Sequence, residues 1–415
     1  MIHTLRAFRY RNYRLFFTGQ SISVVGTWIQ LIAMSWLIYR LTGSAWLLGV
    51  TGFAGQIAVL LLAPFGGLWS DYFDRRKLLL WTQALAIVPA AALAVLAYAD
   101  AVEPWHVIAM AAALGVIMAI DTPVRQSFTL EMVPSRQDLP SAIAFNGLMQ
   151  NAGRMIGPTI AGVLIAVSSE AFCFVVNAAS KVAVVAALAM MAIPAQPKVA
   201  PTARLWASLS QGAFYAWNLV PVRMLLAIVA LVSFMATPYQ TLMPIFAAEV
   251  FEGGADTLGY LIGGAGLGGM LGMFFLAARE DVRGLLRWVA AGAMLAGAAL
   301  FVFARSTDFA LSLVMITLLG VGIIITAMGV STIIQTIVED GMRGRVIGFF
   351  AVAFIGMHPL GSLAAGALAS WIGATHTLAL GGACCVVGGL WLWRSLPALR
   401  THIRPIYVRL GIIND

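Results

Sequence analysis

Apolar residues run along this chain in long blocks, and polar residues gather in the short gaps between them. A bilayer core takes about 20 apolar residues per helix at a rise of about 1.5 Å each. Blocks of that length predict spans over residues 15–39, 45–69, 78–99, 105–127, 141–167 and 171–193. A second set follows over 222–250, 257–278, 285–304, 308–336, 344–370 and 372–393. An even number of spans returns both termini to one side.

The segment Pro194–Pro221 interrupts the blocks. Pro194, Pro197 and Pro201 open it, and Leu205, Leu209, Phe214 and Trp217 then recur at helical spacing. That pattern predicts an interfacial amphipathic helix over 204–218. The organisation expected is a six-helix bundle over 1–194, a cytoplasmic linker over 195–221, and a second bundle with a short cytoplasmic tail over 222–415. A weak internal repeat agrees. Ile143, Phe145, Gly157, Gly162 and Leu164 align with Ile347, Phe349, Gly361, Gly366 and Leu368, and some transporters are built from parallel repeats.

Charge checks the span count independently. Of the 25 Lys and Arg residues, all but Arg40, Arg305, Arg154 and Lys181 fall on the side of the termini. The opposite loops carry Asp100, Glu103, Glu170, Glu249, Glu252, Asp256 and Asp308. A Lys/Arg excess marks cytoplasmic loops. The expectation is a multi-pass protein of the cell (inner) membrane with both termini in the cytoplasm. Removing one span would scramble this distribution downstream.

Composition narrows the class further. Apolar residues make up 61% and charged residues 10%, against roughly 25% charge in soluble chains. A soluble domain is excluded. The net charge of +8 reads as an orientation signal rather than a nucleic-acid surface, because the cations are dispersed over short loops. Cys173, Cys384 and Cys385 lie in apolar blocks without metal-ligand spacing. The first block is too long for the apolar core of a cleavable signal, about 7–15 residues, and reads as a retained span.

Two motifs carry mechanistic content. The first is the loop Gly67-Leu68-Trp69-Ser70-Asp71-Tyr72-Phe73-Asp74-Arg75-Arg76-Lys77 after the second span. Gly67 permits close helix approach. Asp71 is placed to meet a helix N-terminus or an arginine across the domain seam, and Asp74, Arg75 and Arg76 add charge to a latch that could open and close. The second is Gly153-Arg154-Met155-Ile156-Gly157-Pro158-Thr159-Ile160-Ala161-Gly162 in the fifth span. Its glycines offer a flat face, and Pro158 removes a backbone donor and bends the helix. A gating element and plain small-residue packing both fit.

The chain resembles the major facilitator superfamily at these residues. The loop is similar to that family's Gly-x-x-x-Asp-Arg-x-Gly-Arg-Arg signature, with Tyr72 replacing a basic residue and Asp74 replacing a glycine. The fifth-span stretch resembles the superfamily's antiporter motif, Gly-x-x-x-Gly-Pro-x-x-Gly-Gly, with Ala161 as the only departure. Phe8-Arg9-Tyr10-Arg11-Asn12-Tyr13-Arg14 and Gly26-Thr27-Trp28-Ile29-Gln30 resemble a bacterial exporter branch of enterobactin-exporter-like and transmembrane-secretion-effector proteins. The resemblance implies an all-α fold of twelve transmembrane helices in two pseudo-symmetric six-helix bundles. It also implies an exporter of the drug/proton antiporter type. Such proteins often place an acid near the start of span one. This chain has Thr27 there, so coupling must come from elsewhere.

Polar groups inside the spans are the candidate site. Arg154 lies mid-membrane, where a cation costs several kcal/mol unless it faces protein or water. It is either a switchable charge, a contact for an anionic solute, or a cation tied to helix carbonyls. Asp121 sits within the fourth span and could approach Arg154 or Asn151. A carboxylate there suits proton coupling or a simple cap. Lys181 lies midway down span six, where contact with lipid or a partner is weighed above contact with substrate. Gln30, Gln56, Asn151, Tyr239, Gln240, Trp28 and His358 supply the amides and aromatics that suit a midplane cavity for an amphipathic or aromatic solute. Singly, each also suits packing. Span eight is rich in glycine, from Gly259 to Gly272, which predicts close helix contact.

The resulting expectation is a secondary active efflux transporter of a small drug-like or siderophore-like solute. It would work by proton antiport and alternating access, as a monomer with no cofactor and the proton gradient as energy source. No Gly-x-x-x-x-Gly-Lys-Ser/Thr loop and no catalytic cluster is present, which argues against ATP use and against an enzyme. A lipid or lysophospholipid transporter holding phosphate on Arg154 or Lys181 is the alternative.

Overall fold

The computed structural model describes residues 5–135, 137–191, 205–279 and 281–409, leaving the side chains of 63–68, 70–72, 130 and 205–210 undescribed. The described residues form helices joined by short turns, without strands. A short 3-10 turn, Arg6–Arg9, leads into α1 (Arg11–Thr42), α2 (Ala45–Tyr72), α3 (Arg75–Tyr98), α4 (Pro104–Met132), α5 (Leu139–Val167) and α6 (Glu170–Ala189). Next come α7 (Leu205–Asn218), α8 (Val220–Met235), α9 (Tyr239–Ile245), α10 (Ala255–Ala277), α11 (Leu285–Arg305) and α12 (Phe309–Ile337). The chain finishes with α13 (Asp340–Ala351), α14 (Met357–Ile372) and α15 (Ala374–Arg409).

Eleven described stretches are long and apolar enough to cross a membrane. The helix α5 is as long as its neighbours but is not among them, because Asn146, Gln150, Asn151 and Arg154 dilute its apolar run. With it the helix count agrees with the twelve spans expected. The boundaries follow local chemistry. Ser44, Asp74, Ser169 and Asp308 accept backbone N–H bonds as the N-caps of α2, α3, α6 and α12, each satisfying a donor the helix cannot. Gly43, at φ 57°, ends α1 in the left-handed conformation glycine tolerates best.

Two expected spans are not continuous α-helix. The stretch 222–250 breaks after Met235, just ahead of Pro238, resumes as α9, and finishes as a π-helix over Phe246–Val250 behind Pro244. The stretch 344–370 contains a π-helix over Val352–Gly356, ahead of Pro359. Proline removes a donor and crowds the preceding turn, and such helices bend there. The last helix continues to Arg409, well past the expected end at 393. Leu396, Leu399 and Ile403 are buried along one face, so amphipathic packing extends it where apolar length no longer does. The expected linker helix exists as α7, with Phe214 and Trp217 exposed on one side. Residues 192–204 lie outside the described residues.

By contact the chain divides into two units. One is Met1–Pro201 together with Met243–Gly263, and the other is Thr202–Leu242 with Gly264–Asp415. In the first, α1 packs on α5 and α6, α2 on α4, and α3 on α6. In the second, α11 packs on α12 and α15, and α15 on α8.

Candidate functional site

Within the first unit a polar arrangement joins α1 and α6, and its residues arrive at helical spacing. On α1, Ser23, Gly26, Thr27 and Gln30 share one face, because residues three and four apart are neighbours. On α6, Asn177, Ser180 and Lys181 form the matching face. The two stripes meet. Lys181 Nζ donates to Ser23 Oγ and Thr27 Oγ1, both at 2.8 Å. Asn177 donates to the Gln30 side-chain oxygen, and the Ser180 hydroxyl donates to Asn177 O at 2.7 Å. Gly26 lies directly against Ser180 and Asn177, leaving no room for a Cβ.

A carboxylate of α4 completes the polar layer. Asp121, 5% exposed, accepts from Thr82 Oγ1 at 2.9 Å and Gln83 Nε2 at 2.7 Å, both on α3. Arg125, one turn along α4, places its guanidinium 3.7 Å from the other carboxylate oxygen. Asp121 therefore faces α3, rather than the Arg154 or Asn151 that the short α4–α5 connection suggested. The reason is that α3 presents two adjacent donors to it.

Lys181 departs from its expected setting. It is 7% exposed and directed at α1, so it is a buried charge within the bundle and not a cation facing lipid. The charges of Asp121 and Arg125 both act on it.

The glycine–proline motif of α5 is a packing surface. Gly153 lies against Val24 and Trp28 of α1, and Gly157 against Trp28 and Val25. Pro158 and Gly162 meet the start of α10, where Gly259 and Ala255 approach backbone to backbone. The half-buried Arg154 carries its guanidinium 5.9 Å above the Trp28 ring, within cation–π range. Thus Trp28, Gly153, Arg154 and Gly157 form one group.

The remaining predicted cavity residues do not all join it. Gln30 is 1% exposed and committed to the α1–α6 seam, because Asn177 lies opposite it. Asn151 turns back to Gly147 O of its own helix at 2.9 Å. Gln56 is half-buried on α2. In the second unit, Tyr239 is buried and accepts from Gln240 at 3.1 Å, while the half-buried His358 precedes Pro359 on α14.

At the loop after α2, the side chain of Asp71 and the surroundings of Gly67 lie outside the described residues. The others are tied within the first unit. Asp74 caps α3, accepting from Lys77 N at 3.1 Å. Arg75 pairs with Glu131 of α4 at 2.7 Å. Arg76 donates to Leu188 O at 2.8 Å and Ala189 O at 2.7 Å, closing the C-terminus of α6. Glu131 lies beyond the span Pro104–Thr129, and burial raises its carboxyl above the usual range although Arg75 opposes the shift.

The arginine-rich approach to α1 is also explained. Tyr10 OH and Arg9 Nη2 both reach Asp138 Oδ2, at 2.8 and 3.0 Å. The Phe8 ring sits 5.4, 5.0 and 4.8 Å from those of Tyr13, Phe17 and Phe145. This lashes the N-terminal segment to the start of α5.

Known proteins support this architecture. The Staphyloferrin A transporter of Staphylococcus aureus (strain NCTC 8325 / PS 47) is 26% identical over 375 residues, covering 89% of this chain and 92% of its own. The Multidrug efflux pump Tap of Mycolicibacterium fortuitum is 26% identical over 368 residues, covering 85% and 88%. Among solved structures, a POT family transporter in complex with 5-aminolevulinic acid superposes with a TM-score of 0.72 at 11% identity, covering 94% of this chain and 97% of that one. A bacterial homologue of the iron transporter ferroportin, in an inward-facing state, gives 0.69 at 16% identity, covering 92% and 98%. These two neighbours support the fold alone. A family described as transmembrane secretion effector matches residues 2–403, so the chain is a multi-pass membrane transport protein that belongs to the transmembrane secretion effector family of the major facilitator superfamily.

Proposed function

We propose that this protein exports a small amphipathic or aromatic solute, drug-like or siderophore-like, by proton antiport with alternating access. It acts as a monomer in the cell inner membrane, with both termini in the cytoplasm, no cofactor and the proton gradient as energy source. The observation that carries the reading is the charged layer of buried Lys181 and Asp121 with half-buried Arg125, in a chain whose relatives along most of its length are named as a Staphyloferrin A transporter and a multidrug efflux pump. A transporter driven by protons needs an ionisable group shielded from bulk water, and this layer supplies one in the position where Thr27 leaves the first span without an acid. Arg154 over Trp28 is the pair we assign to the solute, offering a flat aromatic face and a charge. The phosphate-carrying alternative loses one of its two cations, because Lys181 is committed to Ser23 and Thr27.

The test is susceptibility to drugs and siderophores in an efflux-deficient bacterial host carrying this protein, with and without an uncoupler. We expect raised resistance to at least one aromatic compound, abolished by the uncoupler and by Asp121→Asn. Export that persists unchanged under the uncoupler removes the proton-driven reading, and export unchanged in Asp121→Asn removes Asp121 from it.

A further inference from the structure

Counting charge across the buried layer separates its three members. Asp121 has its counter-charge in Arg125, 3.7 Å from Oδ2, and accepts at Oδ1 from Thr82 and Gln83. Together those two carry no net charge. Among the described residues, Lys181 has only the neutral hydroxyls of Ser23 and Thr27 at hydrogen-bond distance. Burying a charge without a close counter-ion is costly, and among the described residues Lys181 is the member of this layer that has no ion-pair partner at contact distance.

The hydroxyls suit both protonation states. With three protons on Nζ, the ammonium donates to both. When one N–H bond breaks, its electron pair stays on Nζ and the proton departs. The Ser23 hydroxyl can then turn and donate to the neutral amine. Thr27 cannot do so without giving up its own bond to Ser23 O at 2.8 Å. Loss of the proton leaves Asp121 and Arg125 as a neutral pair, and the layer carries no net charge.

Other charged groups on the packed helices lie elsewhere, with Arg11 and Arg14 of α1 and Lys77 of α3 exposed. On α1, Arg40 pairs with Glu170 of α6 at 2.7 Å, and Tyr39 donates to Glu249 at 2.6 Å. On α3, Arg75 and Arg76 bond Glu131 and the end of α6. On α5, Arg154 lies over Trp28. Asp121 and Arg125 of α4 are the charges that act on Lys181.

We propose that Lys181 is the group that binds and releases the coupling proton, held between α6 and α1 by Ser23 and Thr27, with Asp121 and Arg125 as a fixed neutral pair beside it. This rests on the antiport reading above and names its proton site. It places the coupling charge on the sixth span, delivered to the position on the first span where Thr27 stands. Loading and unloading of Nζ changes what joins α1 to α6, and α1 also carries Trp28 against the glycines of α5.

Two measurements test it. The first is a potentiometric difference titration of purified protein, wild type against Lys181→Met and Lys181→Arg, between about pH 6 and about pH 9. The wild type should take up one more proton per chain than either variant. The second is ethidium movement in proteoliposomes, driven by an imposed pH gradient or followed as gradient-free counterflow. Both variants should lose gradient-driven movement at least about tenfold while keeping counterflow within about threefold. Lys181→Arg keeps a charge beside the hydroxyls, so it answers for Lys181→Met should the latter fail to fold. Equal titration of wild type and variants overturns the proposal, as does gradient-driven movement that survives the substitution. Parallel loss of counterflow and coupled movement overturns it in favour of a structural cation. A wild type that moves ethidium without responding to the gradient sinks the antiport reading itself, whatever the titration gives.

Discussion

Single side chains in this protein close helix ends that a shorter or differently shaped residue could not. The last carbonyls of α6 have no partner within their own helix. Arg76 reaches two of them, Leu188 O through Nε and Ala189 O through Nη2. Arg76→Ala is expected to cost about 1–2 kcal/mol of stability, read as a lower unfolding temperature in detergent. Arg76→Lys should recover only part of it, because one ammonium cannot copy the planar fork. Glu131 gives a pH-dependent counterpart. Its carboxyl is raised by burial, with Arg75 pulling the other way. A folded-state value above the unfolded one means that the group's stabilising contribution is complete below about pH 4.3 and is lost as the pH climbs through the folded-state value. The unfolding temperature of wild type relative to Glu131→Gln should therefore fall from acid toward neutral pH. Arg75→Gln should carry that fall to higher pH, since nothing then opposes burial. A flat difference would count against both statements.

Within elements, α5 shows how one helix mixes positions that tolerate a side chain with positions that do not. Gly147 has open space where a Cβ would go, whereas a Cβ at Gly157 would strike Trp28. Gly147→Ala should be neutral or gain roughly 0.5–1 kcal/mol from helix propensity. Gly157→Val should push α5 off α1, lowering both thermal stability and export, the latter at least about tenfold. Equal effects from the two substitutions would show that the motif does not act through this contact. The spans themselves were readable from sequence because a bilayer enforces a minimum apolar length. The break between α8 and α9 was not placed, although Pro238 and Pro244 stood in the block, because proline alone does not say whether a helix bends or stops. The extension of α15 was missed because Leu396, Leu399 and Ile403 carry it by periodicity and not by apolar length. The sequence marks Lys181 as unusual but does not name its partners. The signal was present as two polar stripes at a spacing of three to four residues, Ser23-Thr27-Gln30 on α1 and Asn177-Ser180-Lys181 on α6. A stripe on one helix does not name the helix it faces, and that pairing is set by packing. For the same reason chain proximity points Asp121 toward Arg154, while the donors that hold it come from α3.

At the scale of the whole chain, orientation should follow the sum of loop cations and not any single exception. The cations of the N-terminal approach, the α2–α3 loop and α15 stand together against the acidic loops that hold Asp100, Glu103 and Glu252. Arg40 looks like a counter-example, but its guanidinium is 2.7 Å from Glu170. One cation is outweighed by the many Lys and Arg of the opposite short loops, whose sum sets the orientation. Green fluorescent protein fused after Asp415 should therefore fluoresce, and alkaline phosphatase fused there should be inactive. Phosphatase fused after Gly43, between α1 and α2, or after Asp100, between α3 and α4, should be active. Arg40→Glu should leave all four results unchanged, because removing a cation from the opposite side only reinforces the existing bias. Replacing Arg6, Arg9, Arg11 and Arg14 together should raise phosphatase activity at the C-terminal fusion, as a fraction of chains loses its anchor. Active phosphatase after Asp415 in the unmodified chain would reverse the sidedness assigned here, and with it the direction in which a proton leaving Lys181 has to travel.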